Sequence, residues 1–532
     1  MSPSVVSSVV GAISFEVDGR PVEVPDDGGS LLDALRDRLG VGSVKDGCSP
    51  QGQCGCCTVL VDGSPRVACV TPIARIAGRR VTTVDGLPAD ERDAWAAAFC
   101  ATGASQCGFC TPGIVVRLHA ARARGARTAD DPRVGQALLA HLCRCTGWRT
   151  IFDAVDVIGH PAPARDLDAA ARRAEIEGGV LQRVGPEIAL GRGGFADDTA
   201  PADALVAVRA PDGGWVVDET VHEARRRAGK VQGRRTTAAL SWPIDIPEGD
   251  WAATLQTTWV EPAYLEPDAS WCVPGGMPVS PLANGGAFGG KTSSDAGAVA
   301  RRLADEHGRP VRVLWSREDV VRFGPKRPPI GAGIRADGTG VVRVARTPGI
   351  ANAITAIAPG LVVEEVDVTG PPTSLALRAA GWAEAAVLLS SVTASFDHSW
   401  SPGDHECANG VVDPGGGRAS AWTDDAGEIH VIVDAGEAID EVVLRSYIVG
   451  AAHQALGWVR SEGISVDADG EVHDLTIRSF GILRAVDMPP VHVTVTPSEH
   501  PPVRGSDAAF AAVAAAVWRH DGYPSRWPSR RA

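Results

Sequence analysis

The sequence lacks any run close to the roughly 20 apolar residues that cross a bilayer. Its N-terminus, MSPSVVSSVVGAISFEVDGR, lacks the basic start and long apolar core of a secretory signal. The chain also lacks an arginine-rich stripe with interleaved aromatic residues, and its formal net charge of −14 repels phosphate backbones and anionic lipid. We therefore expect a cytoplasmic protein whose partners include no nucleic acid and no membrane.

A disulfide framework is also not expected, although the 532 residues include 12 cysteines. In a reducing compartment, this many thiols indicates metal ligands or buried small residues. Adjacent Cys56 and Cys57, or the Cys143-x-Cys145 pair, cannot easily adopt the Cα separation and torsion of an unstrained disulfide. The thiols are therefore candidates for holding metal.

The apolar pattern divides the chain into four parts and predicts an α+β fold. Short alternating runs and one serine-capped helix predict a small mixed sheet in residues 1–86. Helical segments separated by Gly, Pro and Asp predict a bundle in residues 87–160. The polar, alanine-rich stretch 161–176 is interpreted as a linker, in part helical. Residues 177–532, which we call the third region because they follow the sheet and the bundle, mix strand-like and helical runs over several subdomains.

Two sets of four cysteines follow one another along the chain. A [2Fe-2S] cluster requires four thiolates, which a tight loop and a neighbouring strand can supply. A Cys₄ zinc site or plain buried cysteines are alternatives, but two complete sets in order favour clusters. The first set is Cys48, Cys54, Cys57 and Cys69, and the second is Cys107, Cys110, Cys143 and Cys145.

The motifs LLDALRDRLGVGSVKDGCSPQGQCGCCTVLVDG, QCGFCTPGIV and LCRCTGW resemble the two iron–sulfur domains of the molybdenum hydroxylases, the xanthine dehydrogenase and carbon monoxide dehydrogenase family. The resemblance implies a ferredoxin-like β-grasp domain that binds one [2Fe-2S] cluster through the first set of cysteines. It also implies a four-helix domain that binds a second cluster through the second set. The first gap, Cys48 to Cys54, is one residue longer than usual.

Other residues near these motifs have weaker interpretations. Cys56 stands where the family usually has alanine and is interpreted as a packed thiol. Cys100, Cys272 and Cys407 have no partners by spacing and are interpreted in the same way. Gln106 matches a family glutamine near the pterin cofactor, and a turn-capping role is an equal alternative.

Segments of the third region, among them WVEPAYLEP, GGAFGGK and VTGPPTSLALRAAG, resemble the molybdopterin-binding subunit of the same family. The resemblance implies that Gly286, Phe288 and Gly289 match a glycine-rich loop beside the molybdenum. It implies that Arg378 matches the arginine of a second cofactor loop.

The third region also departs from the family pattern. Its 356 residues are about half the usual length, and the stretch after Trp382 lacks most of one cofactor-binding subdomain. The family's histidine is Pro262, a cofactor-contacting glutamine is Tyr447, and the catalytic glutamate is replaced by Ser506 or Asp507. We expect a degenerate, shortened molybdopterin-binding-like region, with no catalytic residue in this chain and a structural or dimerising role.

The segment GGAFGGKT, Gly285 to Thr292, also satisfies the phosphate-loop pattern. That mechanism requires a buried strand that runs into the loop. The preceding VPGGMPVSPLAN, with three prolines, makes a poor central strand. The motif therefore supports an NTPase only weakly.

Taken together, the resemblance predicts an iron–sulfur electron-transfer subunit of a heteromeric, xanthine dehydrogenase-like molybdenum hydroxylase. It would carry electrons from a molybdopterin-binding catalytic subunit to an FAD-binding subunit, because no strand-plus-GxGxxG unit for a flavin is present here. The alternatives are a self-contained minimal molybdopterin hydroxylase and a [2Fe-2S] protein fused to a P-loop NTPase. The substrate stays open among purines, aldehydes, N-heterocycles and carbon monoxide.

Overall fold

The structure is a computed structural model that describes residues 11–229, 238–282, 284–393 and 410–530. The start of the N-terminal segment, residues 1–10, and Cys407 lie outside the described residues. The strands are β1 (Ala12–Val17), β2 (Arg20–Pro25), β3 (Thr58–Val61), β4 (Ser64–Val67), β5 (Arg80–Thr82), β6 (Leu205–Arg209), β7 (Trp215–Asp218), β8 (Ala253–Gln256), β9 (Ala269–Cys272), β10 (Val311–Leu314), β11 (Ile330–Ile334), β12 (Gly340–Ala345), β13 (Leu361–Val366), β14 (Val411–Val412), β15 (Arg418–Thr423), β16 (Ile429–Asp434) and β17 (Val491–Val495).

The α-helices are α1 (Leu31–Asp33), α2 (Ala89–Thr102), α3 (Thr111–Ala123), α4 (Pro132–Leu138), α5 (Arg149–Val157), α6 (Leu167–Gly178), α7 (Pro186–Ala189), α8 (Val221–Arg227), α9 (Ala296–His307), α10 (Arg317–Phe323), α11 (Ile350–Ile357), α12 (Trp382–Ser390), α13 (Glu441–Arg460) and α14 (Ser506–His520). Helix α1 continues as a π-helical turn, Ala34–Arg38. No described helix combines the length and apolar character that crossing a bilayer requires.

The N-terminal part is a five-stranded sheet in the order β2-β1-β5-β3-β4 with helix α1 against it. Strand β1 buries Ile13, Phe15 and Val17 on one face, as its alternating sequence predicts. The β3–β4 hairpin turns at Asp62 and Gly63, which both have positive φ, as two-residue hairpins require. This arrangement is the predicted ferredoxin-like sheet.

Helices α2 to α5 form the predicted helical domain and lie within residues 87–160. Helix α3 is buried along most of its length, and α2 packs against α5. The indole of Trp148, at the start of α5, is fully buried and donates to the carbonyl of Leu483 at 3.1 Å. The bundle therefore packs directly against the third region. The domain boundaries themselves stay a prediction.

The second half of the predicted, partly helical linker, residues 161–176, lies in a packed helix. Helix α6 begins after Asp166, whose carboxylate accepts the N–H groups of Asp168 and Ala169, and it continues beyond 176 to Gly178. Arg173 and Glu177 form an ion pair that is fully buried. The small side chains of Ala170 and Ala174 allow this helix to pack closely on α13.

The described residues of the third region form three four-stranded sheets, in the orders β7-β6-β10-β9, β13-β12-β11-β8 and β14-β15-β16-β17. Helices α13 and α14 pack on each other and are buried on nearly all sides. A helix that is apolar all round must lie inside a core. These two helices form the centre of the region and confirm the predicted α+β class.

Candidate metal centre

The first cysteine set comes from the loop Gly47 to Cys57, which contains three of its members, and from the turn Ala68–Val70, which contains Cys69. The thiol of Cys48 contacts those of Cys54 and Cys69, and the thiol of Cys69 also contacts that of Cys57. Each of these four residues is at most 3% exposed. The structure thus brings together the four residues that the sequence pattern selected.

The second set converges from two loops of the helical bundle. Cys107 and Cys110 precede α3, while Cys143 and Cys145 lie between α4 and α5. The sulfur atoms of Cys107 and Cys145 are 3.6 Å apart, and the thiols of Cys110 and Cys143 are in contact. The hydroxyl of Thr146 lies 3.2 Å from the sulfur of Cys143. None of the 11 described cysteines forms a disulfide.

The thiols within each set strongly perturb one another. Hydrogen bonds from Cys54 and Cys69 hold the pKa of Cys48 well below its usual range. A hydrogen bond from Cys110 lowers the pKa of Cys143 to about 6, aided by Thr146. The thiols that donate these bonds have raised pKa values. The hydrogen bond to Cys143, followed by burial, raises the pKa of Cys110. The hydrogen bond to Cys107, followed by burial, raises the pKa of Cys145.

These donor sets fit two [2Fe-2S] clusters. Four thiolates in one buried volume repel each other unless a cation compensates their charge. Iron in a [2Fe-2S] cluster supplies that charge and takes thiolate ligands. The residues that would hold the clusters are therefore the eight cysteines already named.

The two sets lie next to each other. The N–H of Leu142, which precedes Cys143, donates to the carbonyl of Cys54 at 2.9 Å. Cys56 is fully buried, and burial raises the pKa of its thiol. A hydrogen bond with Cys54 opposes this rise, while the charges of Cys48 and Cys143, one from each set, add to it. A Cβ on Gly113 of α3 would lie 2.9 Å from the carbonyl oxygen of Cys56. Only glycine therefore allows α3 to approach the first loop this closely.

Side chains of the third region hold both cysteine loops in place. Arg144, between Cys143 and Cys145, forms a buried ion pair with Glu462 and donates to the carbonyl of Pro262 at 3.0 Å. Arg317 is fully buried and donates to the carbonyl of Gly47 at 2.9 Å. These contacts attach both cysteine loops to the third region.

The residues matched to the pterin site lie together beside the second set but do not fit a pterin. The Gln106 amide donates to the Cys145 carbonyl and the Ser446 hydroxyl, both at 2.9 Å. A Cβ on Gly286 would lie 3.0 to 3.2 Å from atoms of Cys107 and Cys145. The hydroxyl of Tyr447 donates to Gln182 at 2.6 Å. Protein atoms thus fill the space between the glycine-rich loop and the bundle.

Arg378 lies against the ring of Phe288, with 4.9 Å between the guanidinium carbon and the ring centroid. Its guanidinium is 3.1 Å from the carboxylate of Asp507 and donates to the hydroxyl of Ser506 at 3.3 Å. Asp507 also pairs with Arg504 at 3.1 Å. Gly289, the remaining matched residue, lies against the backbone of Ala376. The carboxylate that stands nearest to the family's catalytic position is therefore held by two arginines.

The segment Gly285–Thr292, which satisfies the phosphate-loop pattern, does not have the strand–loop–helix geometry of a nucleotide site. Within the described residues, no strand lies between β9 and β10, and α9 begins only at Ala296. The ammonium of Lys291 is buried and bonds Glu266 at 2.8 Å and the carbonyl of Pro281 at 3.1 Å. The lysine thus satisfies protein oxygens and not phosphates.

Gly450 of α13 provides a test of how the second set is positioned. A methyl group at this position would overlap the carbonyl oxygen of Cys145. We expect Gly450→Ala to displace the Cys143–Cys145 loop and to reduce iron content by about two atoms per chain, as read by metal analysis. Gly297→Ala in α9 is the matched control, because its methyl would meet only ordinary contacts at 3.5 Å or more. Full iron in Gly450→Ala would contradict the positioning role.

Several residues of the site could not be found from sequence. Arg144 and Glu462 are 318 positions apart, and Leu142 meets Cys54 through backbone atoms alone. The amide of Asn284 donates to the carbonyl of Cys107 at 3.2 Å. No spacing signal marks such pairs.

Comparison with known proteins agrees with this geometry. Residues 15–74 match the model of the 2Fe-2S iron-sulfur cluster binding domain, and residues 83–156 match that of the [2Fe-2S] binding domain. A xanthine dehydrogenase from Blastobotrys adeninivorans is 34% identical over 170 residues, which are 28% of this chain and 12% of that protein. The nicotinate dehydrogenase small FeS subunit from Eubacterium barkeri is 36% identical over 126 residues, which are 24% of this chain and 79% of that one.

The fold of the whole chain also has a counterpart. A solved aldehyde oxidoreductase from Desulfovibrio desulfuricans superimposes with a TM-score of 0.71 at 15% identity, over 98% of this chain and 99% of that chain. At this identity the likeness shows the fold alone. The two cysteine sets and the matched domains define an iron–sulfur protein of the oxidoreductase class. The chain belongs to the molybdenum hydroxylase family, the family of xanthine dehydrogenase. It spans only a small part of the xanthine dehydrogenase that it matches.

Proposed function

We propose that this chain is the iron–sulfur electron-transfer subunit of a heteromeric molybdenum hydroxylase. The observation that carries the proposal is the pair of adjacent, buried cysteine sets, joined by the hydrogen bond from Leu142 to Cys54. Cluster potentials are tuned by burial and by hydrogen bonds to sulfur, and both are present here. Electrons would pass from a molybdopterin-binding partner to the second set, then to the first set, and then to an FAD-binding partner.

The third region would shield and position the clusters. The Arg144 and Arg317 contacts support this role. The pairing of Asp507 with Arg378 and Arg504 supports the absence of a catalytic base in this chain. A general base must reach the proton that it abstracts, and this carboxylate does not line the neighbouring cavity of about 40 Å³, which Arg378 lines.

A basic hollow beside the first set supports the place of electron exit. It has a volume of about 500 Å³, and its lining includes Val67, Val70 and Thr71, which lie on either side of Cys69 in the sequence. Four arginines line it, Arg66, Arg75, Arg79 and Arg117, in a chain whose net charge is −14. Val70 beside Cys69 is 55% exposed. Such a surface suits an acidic protein acceptor.

We expect charge reversal in this hollow to slow electron delivery. Arg66→Glu/Arg75→Glu should lower the second-order rate of reduction of the flavin partner by about tenfold or more at low ionic strength, because steering depends on complementary charge. The difference should shrink in high salt. Stopped-flow absorbance measures the rate, and Arg302→Glu on α9 is the control, since Arg302 lies on an exposed helix face. Equal rates in both variants would contradict docking at the hollow.

Purification of the native complex tests the proposal as a whole. Co-purification of a molybdopterin-binding chain and an FAD-binding chain is expected, with both clusters reduced when substrate is added to the complex. Stoichiometric molybdenum in this chain alone, with substrate-dependent reduction, would instead support the minimal hydroxylase. Nucleotide-dependent stabilisation that Lys291→Ala abolishes would support the NTPase alternative.

A further inference from the structure

We propose that Glu428, His430 and His492 form a binding site for a transition-metal dication of the zinc type, apart from the two cysteine sets. His430 and His492 lie in β16 and β17 of the sheet β14-β15-β16-β17, and Glu428 directly precedes β16. Their ligand atoms all lie within 4.8 Å of one another. The proposal does not depend on the electron-transfer function.

The two imidazoles face each other across neighbouring strands. His430 of β16 and His492 of β17 are direct partners in the parallel register. Their ring centroids are 4.7 Å apart, and the rings are 21° from parallel. On its other side, His430 stacks on Trp422 of β15 at 4.8 Å, only 5° from parallel. The stack fixes the orientation of His430 before any metal binds.

Each imidazole already faces a carboxylate. Nε2 of His492 is 2.8 Å from Oε2 of Glu428, and Nε2 of His430 is 2.9 Å from Oδ2 of Asp424. The other oxygen of Asp424 accepts the N–H groups of Ala426 and Glu428, so the hairpin holds this carboxylate in place. A metal ion would take the place of the His492–Glu428 hydrogen bond, with Nε2 of the neutral imidazole as ligand and the ring proton on Nδ1.

The chemistry of the donors selects the ion. Imidazole nitrogen with carboxylate oxygen suits zinc, nickel and copper, whereas magnesium and calcium prefer oxygen alone. Bonds of about 2.0–2.2 Å to zinc require the ligand atoms to lie about 3.4 Å apart. The His492–Glu428 pair is already closer than this, and the ligand atom of His430 lies within 4.8 Å of both. Three protein ligands leave one position open to water, and the His492 side chain is 53% exposed.

A second hairpin in the same chain shows what an Asp–His pair does alone. Asp467 and His473 repeat the DxxGExH spacing of Asp424 and His430, with Nε2 of His473 2.7 Å from Oδ2 of Asp467. Within the described part of the chain, no second histidine joins Asp467 and His473 in a group of three ligands. The Asp–His bond is therefore a feature of this hairpin type, and His492 is what makes the first hairpin a chelating site. Bound metal would fasten the edge strand β17 to β16.

The test is a titration of the full-length, cluster-loaded chain with zinc after a chelator wash. Isothermal calorimetry should show one zinc ion per chain with a dissociation constant in the micromolar range or tighter. X-ray absorption at the zinc edge should show nitrogen and oxygen ligands with imidazole scattering and no sulfur. Sulfur in the shell would mean that cysteines took the zinc, and it would overturn the proposal, as would no binding below about 100 µM.

Variants locate the ion. His492→Ala changes an exposed residue and should weaken zinc binding by more than the roughly 10- to 100-fold that loss of an outer-shell partner costs. His430→Ala should have a similar effect. His473→Ala, the matched control in the second hairpin, should bind zinc like the unchanged chain. Unchanged affinity in His492→Ala, or equal loss in His473→Ala, would overturn the proposal.

Discussion

Replacing Cys107 by serine should remove one of two iron–sulfur signals in electron paramagnetic resonance and lower iron from about four to about two atoms per chain. The thiol of Cys107 is 3.6 Å from that of Cys145, so its loss leaves the second set with three ligands. The first set shares no cysteine with the second and should keep its signal. The reduced chain, prepared without air, is the sample for this measurement.

Cys56→Ala is the matched control for Cys107. Cys56 is as buried as the proposed ligands and lies beside thiols of both sets, but the family pattern places alanine there. Both signals and full iron are expected in this variant. Loss of a signal in Cys56→Ala would mean that Cys56 is a ligand and that one member of the first set is wrongly assigned.

Breaking the ion pair between Arg144 and Glu462 should destabilise the chain by about 3–5 kcal/mol, because removal of one partner leaves an uncompensated buried charge. Arg144 is 4% exposed and Glu462 only 2%. Burial raises the pKa of Glu462, and Arg144 opposes that rise. Urea denaturation of the cluster-loaded Arg144→Met variant measures the change in the free energy of unfolding.

The double variant Arg144→Met/Glu462→Met separates the pair from its surroundings. Replacing both charges by apolar side chains of similar size is often close to neutral. We therefore expect the double variant to recover most of the loss seen in Arg144→Met. If the double variant instead lost as much stability as Arg144→Met and Glu462→Met together, a direct interaction would be contradicted. Arg302→Met, from an exposed pair on α9, should change stability by less than about 1 kcal/mol.

Local sequence signals predicted the N-terminal 160 residues well. Alternation in β1, the Asp62-Gly63 turn and the serine cap of α1 each act within a few residues, and all are present in the structure. The cysteine spacings also act locally, because a tight loop must place its thiols together. For these parts, the sequence contains the determinants of the structure.

The third region could be predicted only in outline. Strands such as β12 and β16 and helices such as α9 and α14 follow their patterns. The contacts that give the region its role join distant residues, such as Arg317 to the Gly47 carbonyl and Glu177 to the N–H groups that begin α14. The segment with α6 was interpreted as a linker, in part helical. Its burial could not be predicted, because it depends on α13, which lies about 270 residues away in the sequence.

We infer that eight thiolates hold two [2Fe-2S] clusters in a chain that conducts electrons and does not itself hold molybdenum. Metal and acid-labile sulfide analysis of the full chain, expressed alone and purified without air, tests this most directly. The account predicts about four irons and four sulfides per chain, a brown protein and no stoichiometric molybdenum. A colourless chain without iron, or one that holds zinc in place of iron at the cysteines, would contradict it.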